Sequence, residues 1–394
     1  MVLGSQPKTA TSVAVMSGAL LINKAAAAVC ASKSASKSKG CAFKPTRGRP
    51  RRGCSPQGAA AQSPAPGSQT FLTGDIGGTN ARIQVWTVVG GEETLLFAKT
   101  YGTADHATFE SVVREVYKES GVDEGSVDAA CFAVAGPVAD DKCNMTNLSW
   151  VIDGRALEST FGIASVKVIN DFAAVGYGVL DLKEDEIVTL NGAVKDPEGP
   201  IAVLGPGTGL GEAMLFFNQQ AGEYAVIPSE GSHADFAPRG ETQRALLAYC
   251  EETLAGECEI EQVCCGSGIV RIYEFLKKHR DAGDKPELDP AGVTDAALDG
   301  TCELCREAVD IFLAILGAEA ANLALKCLAS GGVYIAGGIP PRLLSIIGNG
   351  GVLLDSFLHK QCRYTGVRAG FPLHIVLNDK IGLAGAKVYA MRQL

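Results

Sequence analysis

Two stretches of the same build constrain this chain more than any other feature. "FLTGDIGGTNARIQVW" at residues 71–86 and "IAVLGPGTGLGEAMLFF" at residues 201–217 each read as an apolar strand, a glycine turn and a second strand. They lie about 130 residues apart, which points to two related halves facing a cleft. A bare hairpin would account for Gly77-Gly78 alone, because adjacent glycines permit positive φ. The repeat at Gly205–Gly211 weakens that reading. Glycines let the backbone approach an anion closely, and the free amides of such turns donate to it. The stretch at Gly74–Thr79 lacks the GxGxxG spacing and runs into a strand, so it does not fit a dinucleotide fingerprint. It does not match GxxxxGK[ST] either. Two phosphate-facing hairpins, with Asp75 able to hold Mg²⁺ through water, describe a nucleotide clamp. "IAGGI" at Ile335–Ile339 is then expected near the adenosine.

The rest of the chain supplies sheets and helices around these turns. "LLFAKTYGT" predicts a third strand. "HATFESVVREVYKESG" places Phe109, Val112, Val113 and Val116 at helical spacing, closed by Gly121. "VDAACFAVAGPV" is a continuous apolar run that predicts a buried strand. "SVKVINDFAAVGYGV" predicts a short strand and then a helix. The order βββαβα implies a mixed sheet with helices on it. After the acidic stretch "DLKEDEIVTLNGAVKDPEGP" the second half carries helical periodicity in "TQRALLAYCEETL", "IVRIYEFLKKH" and "LCREAVDIFLAILGAEAANLALKCL". "GGVYIAGGIPPRLL" predicts a strand, a double-glycine turn and a proline-started helix, and "IGLAGAKVYAMRQL" a closing helix.

Charge divides the chain at its head. Residues 1–70 hold ten Lys and Arg and no acid, leaving 25 basic and 44 acidic residues, a balance of −19, on the remainder. An acidic globular part argues against general nucleic-acid affinity. No run of ~18 uninterrupted apolar residues argues for a membrane span. The head, rich in Ala, Ser, Gly and Pro in stretches such as "AAAAVCASKSASKSKG" and "KPTRGRPRRG", cannot bury enough surface to fold alone. Its Ser-rich, acid-free composition is that of an organellar transit peptide, with the plastid favoured over the mitochondrion and a cytoplasmic disordered tail as the bland alternative. Thirteen scattered cysteines read as reduced, buried thiols. Cys302 and Cys305 form a lone CxxC for which packing is the default, ahead of redox chemistry or a metal.

Several motifs now share one order: "GDIGGTNAR", "VIND", "GPGTGLG", "PSEGSHADFAP" and "IAGGIPPR". Together they resemble the bacterial-type glucokinase family, over essentially all of the chain beyond the head. The resemblance implies an α/β, two-domain actin/hexokinase-like (ribonuclease H-like) fold with a cleft between a small and a large domain. Residues 1–68 are then a leader and 69–181 a small domain, closed by the C-terminal helix within 375–394. The large domain spans 182–374. The implied activity is ATP- and Mg²⁺-dependent phosphorylation of D-glucose at the C6 hydroxyl, giving glucose 6-phosphate for glycolysis. A homodimer is also implied.

Matched motif by motif, the resemblance makes Asp171 the catalytic base. It makes Asn170, Asp171, Glu230, His233 and Glu261 sugar ligands. Gly74, Asp75, Ile76, Gly77, Gly78, Thr79, Asn80, Gly207, Thr208, Gly209, Gly337 and Gly338 become nucleotide-binding positions, with Asp75 the Mg²⁺ candidate. Two positions depart from the pattern. Pro206 replaces alanine and offers no amide, and Ser232 replaces glycine.

The chemistry stands beside the resemblance. A sugar hydroxyl is a poor nucleophile, and a carboxylate within hydrogen-bond reach takes its proton as the phosphoryl bond forms. Asp171 follows an apolar strand, where a side chain can project into a cleft. The bland alternatives are that Asn-Asp is only a helix cap and His233 only structural. The relatives with a zinc motif after a similar histidine are disfavoured, since no cysteine follows His233 until Cys250. Three other functions share the fold: a catalytically silent sugar sensor, a kinase for another hexose, and an actin-like ATPase. The last has no use for Glu230, His233 and Glu261.

Overall fold

The computed structural model describes residues 67–145, 148–254, 256–283 and 285–394. The leader expectation falls on residues that lie almost entirely outside these. In chain order the strands are β1 (Ser68–Ile76), β2 (Asn80–Val89), β3 (Glu92–Gly102), β4 (Ala129–Val134), β5 (Val138–Ala139), β6 (Lys142–Asn144), β7 (Val151–Asp153), β8 (Ser165–Asn170), β9 (Ile187–Thr189), β10 (Ile201–Pro206), β11 (Leu210–Asn218), β12 (Glu223–Ser229), β13 (Gly332–Ile335) and β14 (Leu373–Val376). The helices are α1 (Phe109–Ser120), α2 (Gly154–Phe161), α3 (Asp171–Val179), α4 (Gly240–Thr253), α5 (Gly266–His279), α6 (Pro290–Leu298), α7 (Glu303–Cys327), α8 (Ile339–Arg342), α9 (Leu344–Ile347), α10 (Gly351–Leu358), α11 (Thr365–Ala369) and α12 (Ile381–Met391).

The two glycine hairpins seed two sheets of the same design. One runs β3-β2-β1-β4-β8, the other β12-β11-β10-β13-β14-β9. In each, the hairpin strands and their outer neighbour are antiparallel, and the inner hairpin strand continues into two parallel strands. The sixth strand of the second sheet, β9, is antiparallel to β14. Position in the sheet explains the texture of each strand. β1 and β10 lie inside and are largely buried, while the edge strands β3 and β12 carry mostly exposed residues. A small ribbon, β5-β6-β7, lies between β4 and α2 in the chain. It was not legible in the sequence, because its strands are only two or three residues long.

Local signals set the helix ends. Thr108 Oγ1 accepts from Ser111 N–H, and Gly121 closes α1 in the left-handed region. Cys302 caps α7: its Sγ accepts from the Cys305 amide at 3.2 Å, a local role beyond mere packing. All ten cysteines among the described residues are free thiols, and eight are buried. The 25-residue α7 is long and apolar enough to cross a membrane. Here it is packed against the second sheet's core, with Phe312, Leu316, Ala320 and Leu323 in one cluster with the strand residues Leu204, Val333 and Ile375.

Helices α3 and α12 lie between the sheets. Ala174, Ala386 and Ala390 pack on Phe71, Ala129 and Ala133 of the first sheet. Val179 and Ile381 pack on Ile201, Val203 and Leu215 of the second. Glycines make this crossing possible: a Cβ at Gly385 would overlap the Ala174 carbonyl, and one at Gly178 the Ile381 carbonyl. The pair therefore joins both sheets through backbone contact. Asp171 is the first residue of α3, so the fold carries it to the seam.

Candidate active site

A cavity of about 610 Å³ opens between the sheets, and both glycine hairpins line it. Gly77, Gly78 and Thr79 come from the first hairpin and Gly207, Thr208 and Gly209 from the second. Asn170 and Asp171 stand at the start of α3, and Glu230, His233 and Glu261 come from the large-sheet side. The structure thus brings all five expected sugar-site residues to one cavity. Six expected nucleotide positions are not on its wall. Gly74 and Ile76 are strand residues within the first sheet, where a Cβ on Gly74 would lie 2.8 Å from Ile83. Asn80 begins β2, and its carbonyl accepts the Gly77 amide at 2.9 Å. Gly337, at φ +86°, presses on Pro206, and Gly338 precedes α8. Asp75 Oδ2 pairs with Arg82 at 2.9 Å.

The hairpin tips are held from outside. Thr103, which follows β3, donates its amide to Thr79 O at 3.0 Å and its hydroxyl to Gly78 O at 2.8 Å. In the second hairpin the Gly207 amide bonds Gly209 O at 2.8 Å, and Gly207 O accepts from the Gly266 amide at 2.9 Å. Only some of these glycines leave open space on the cavity side. Gly207 has free space where a Cβ would stand, whereas Gly205 and Gly211 make room for the Phe172 ring. Phe172 follows Asp171, so the second hairpin also sets the position of the candidate base.

Asn170 has two jobs. Its Oδ1 caps α3, accepting from Phe172 at 2.9 Å and Ala173 at 3.2 Å. Only its Nδ2, 3.4 Å from Gly136 O, is left for a ligand. The cap reading is realised, and the same side chain also lines the cavity. Burial pushes the Asp171 carboxyl up to about 6. The Phe172 amide, donating at 2.8 Å, opposes this, while Asp75 and Glu230 add like-charge repulsion. His233 Nδ1 bonds Glu259 Oε2 at 2.9 Å, which raises the imidazole's pKa. Glu261 Oε2 accepts the Leu210 amide at 2.8 Å and lies against Gly209. It links the Glu230 and His233 side of the cavity to the second glycine hairpin.

Sequence reasoning missed Thr103, Phe172 and Glu259. Thr103 lies outside the motifs that matched, whereas Glu259 opens the stretch "EIEQVCCGSG" in which Glu261 alone was singled out. The only available signal was the clustering of Glu259 and Glu261 in "EIEQ". Pro206 ends β10 opposite Leu210, whose amide goes to Glu261. Ser232 is buried beside the cavity.

The sequence profile of the glucokinase family matches residues 72–393. A glucokinase of Synechocystis is 40% identical over 348 residues, covering 81% of this chain and 97% of that protein. One from Nostoc is 37% identical over 343 residues, covering 82% and 99%. Among solved structures, glucokinase from an Antarctic psychrotroph superposes with a TM-score of 0.74 at 30% identity, covering 82% of this chain and 99% of that one. Glucokinase from Balamuthia mandrillaris, in complex with glucose, has the same fold at 23% identity, with a TM-score of 0.69 and coverage of 83% and 95%.

Proposed function

The chain belongs to the glucokinase family, and we propose that its cleft transfers the γ-phosphoryl group of ATP to the C6 hydroxyl of D-glucose, with Asp171 as the base. The observation that carries this is the meeting of Asp171 with both glycine hairpins and with Asn170, Glu230, His233 and Glu261 in one cavity. A carboxyl poised at about 6 is ionised at neutral pH yet still basic enough to draw a proton from a hydroxyl. The hairpin amides and threonines face the phosphates, where charge spreads over the transferring oxygens. The acids and His233 pair with sugar hydroxyls, and such a site rejects sugars that leave those groups unpaired.

The donor set also fits Mg²⁺. Asp75 repels Asp171 and helps to raise its pKa, and an oxygen-seeking cation held there would relieve that repulsion. Asp75 would hold it through water, and the ion would neutralise phosphate charge. A coupled assay with glucose and ATP is expected to show turnover that EDTA abolishes and added Mg²⁺ restores. Binding of glucose without turnover would favour the silent sensor. Faster turnover of mannose than of glucose would favour another hexose as substrate.

We also propose that the basic head directs import into a plastid, with the mitochondrion or the cytoplasm as alternatives. The support is its composition and its position before the family match, which begins at residue 72. Residues 1–68 fused to a fluorescent protein should carry it into the organelle, whereas a diffuse cytosolic signal would reduce them to a tail.

A further inference from the structure

One buried acid beneath the cavity has no part in the mechanism above. Glu212 lies on β11, just past the second hairpin, opposite Ser229 of β12. It is 1% exposed, and neither carboxyl oxygen meets a hydrogen-bonding group of the protein. Native structures rarely leave such a group unpartnered, so it calls for a functional explanation. Gly231 lies directly over it, and a Cβ there would overlap Glu212 Oε2. The Gly231 amide is held by Ser229 Oγ at 3.0 Å. Gly231 opens the single turn Gly231–His233, which follows Glu230 and ends in His233.

The surroundings disfavour a charge on Glu212. Helix α7 presents Glu319, 7% exposed and bonded to Asn322 Nδ2 at 3.0 Å. Lys326, on the same helix, reaches Glu319 only at 4.0 Å. The buried Cys264 thiol, close to Glu261 in the chain, is pushed up by burial and then by Glu319, Cys265 and Glu212. Burial, and then the negative charge of Glu319, push the Glu212 carboxyl up to about 7, with Lys326 opposing weakly. In the sheet, Leu204 of β10 and Ser229 of β12 flank Glu212. The turn covers Glu212 with a glycine that has no side chain of its own, and Glu230 beside that glycine is mostly exposed.

We propose that Glu212 is a positioning residue for the sugar site: its neutral carboxyl is the floor under the Gly231–His233 turn, and its ionisation lifts that turn and weakens the hold of Glu230 and His233 on the hexose. This rests on the reading of those two residues as sugar ligands. The glucose KM is therefore expected to rise roughly tenfold between pH 6.5 and 8.5 while kcat stays flat, because each step of one in pH changes the ratio of ionised to neutral carboxyl by about a factor of ten. Glu212→Gln is neutral at every pH and should abolish the rise. Glu319→Gln removes the neighbouring negative charge and should move the midpoint to lower pH. A wild-type KM that does not change with pH, or a Glu212→Gln profile that rises in parallel with wild type, overturns the proposal. If Glu212→Gln does not accumulate as folded protein, the Glu319→Gln midpoint decides, and an unmoved midpoint counts against it. Glu230→Gln, measured alongside, separates the two readings. If it leaves the glucose KM unchanged, the sugar-ligand reading has failed. If it raises KM while the Glu212 tests fail, only the floor is wrong.

Discussion

Asp171→Asn is expected to lower kcat by roughly 10²-fold or more, while the glucose KM stays near its wild-type value. The amide keeps the side chain's shape and can still accept the Phe172 amide that Asp171 Oδ1 takes at 2.8 Å. What it loses is the ability to remove the C6 proton. The wild-type rate should fall as pH drops through about 6, where burial and the neighbouring acids place the Asp171 carboxyl. Stability should move the opposite way. Asp171 binds its proton more tightly when folded than its ordinary value of 3.8, so raising the pH from about 4 to 6 costs the folded state. Above that window the cost is fully present, on the order of 1–3 kcal/mol. Asp171→Asn should therefore melt higher than wild type at pH 7. A variant with near wild-type turnover would remove Asp171 from the chemistry.

Glu261→Ala should disturb both halves of the site, whereas Glu230→Gln should disturb one. Motif matching assigns both acids to sugar, which predicts a rise in sugar KM alone. The structure separates them. Glu230 has an 84% exposed side chain whose charged contact is a 3.9 Å approach to His233. Glu261 instead accepts the Leu210 amide at 2.8 Å and lies against Gly209, so it braces the second glycine hairpin. Leaving that amide without a partner costs about 1–3 kcal/mol, or roughly a 5- to 150-fold loss of affinity. The Glu261→Ala enzyme is expected to show KM values for glucose and for ATP that rise together. An unchanged ATP KM would show that the brace has no consequence for the nucleotide. Steady-state kinetics with each substrate varied in turn make the comparison.

Much of this architecture was written in local patterns. The strand–glycine–strand units name themselves because the apolar runs of β1 and β10 break at glycines and resume in β2 and β11, and no helix pattern competes with them. The apolar run 129–134 reads as an inner strand, and all six of its residues are buried. Helix α1 announced both its ends through Thr108 and Gly121. Such features depend on neighbours in the chain, which a sequence displays directly. That the five expected sugar-site residues would share one cavity was legible for a different reason: they sit in motifs whose order matched a known family.

Tertiary structure decided the rest, because it depends on groups that only folding brings together. Nothing local says that Gly205 and Gly211 make room for Phe172 rather than for phosphate, since Phe172 lies more than thirty residues away. Nothing local ties Thr103 to the first hairpin, or Glu261 to the Leu210 amide. The Asp171 carboxyl owes its raised pKa to burial and to Asp75 and Glu230, which approach it from different elements. The sequence by itself determined the two hairpins, the sheets they seed and the identity of the groups that could do the chemistry. Folding determined which glycines leave open space and which make room for Phe172, which acid braces a hairpin, and how strongly the Asp171 carboxyl holds its proton. Those properties come from close packing and from electrostatics in a low-dielectric interior, and neither is a property of any one stretch of chain.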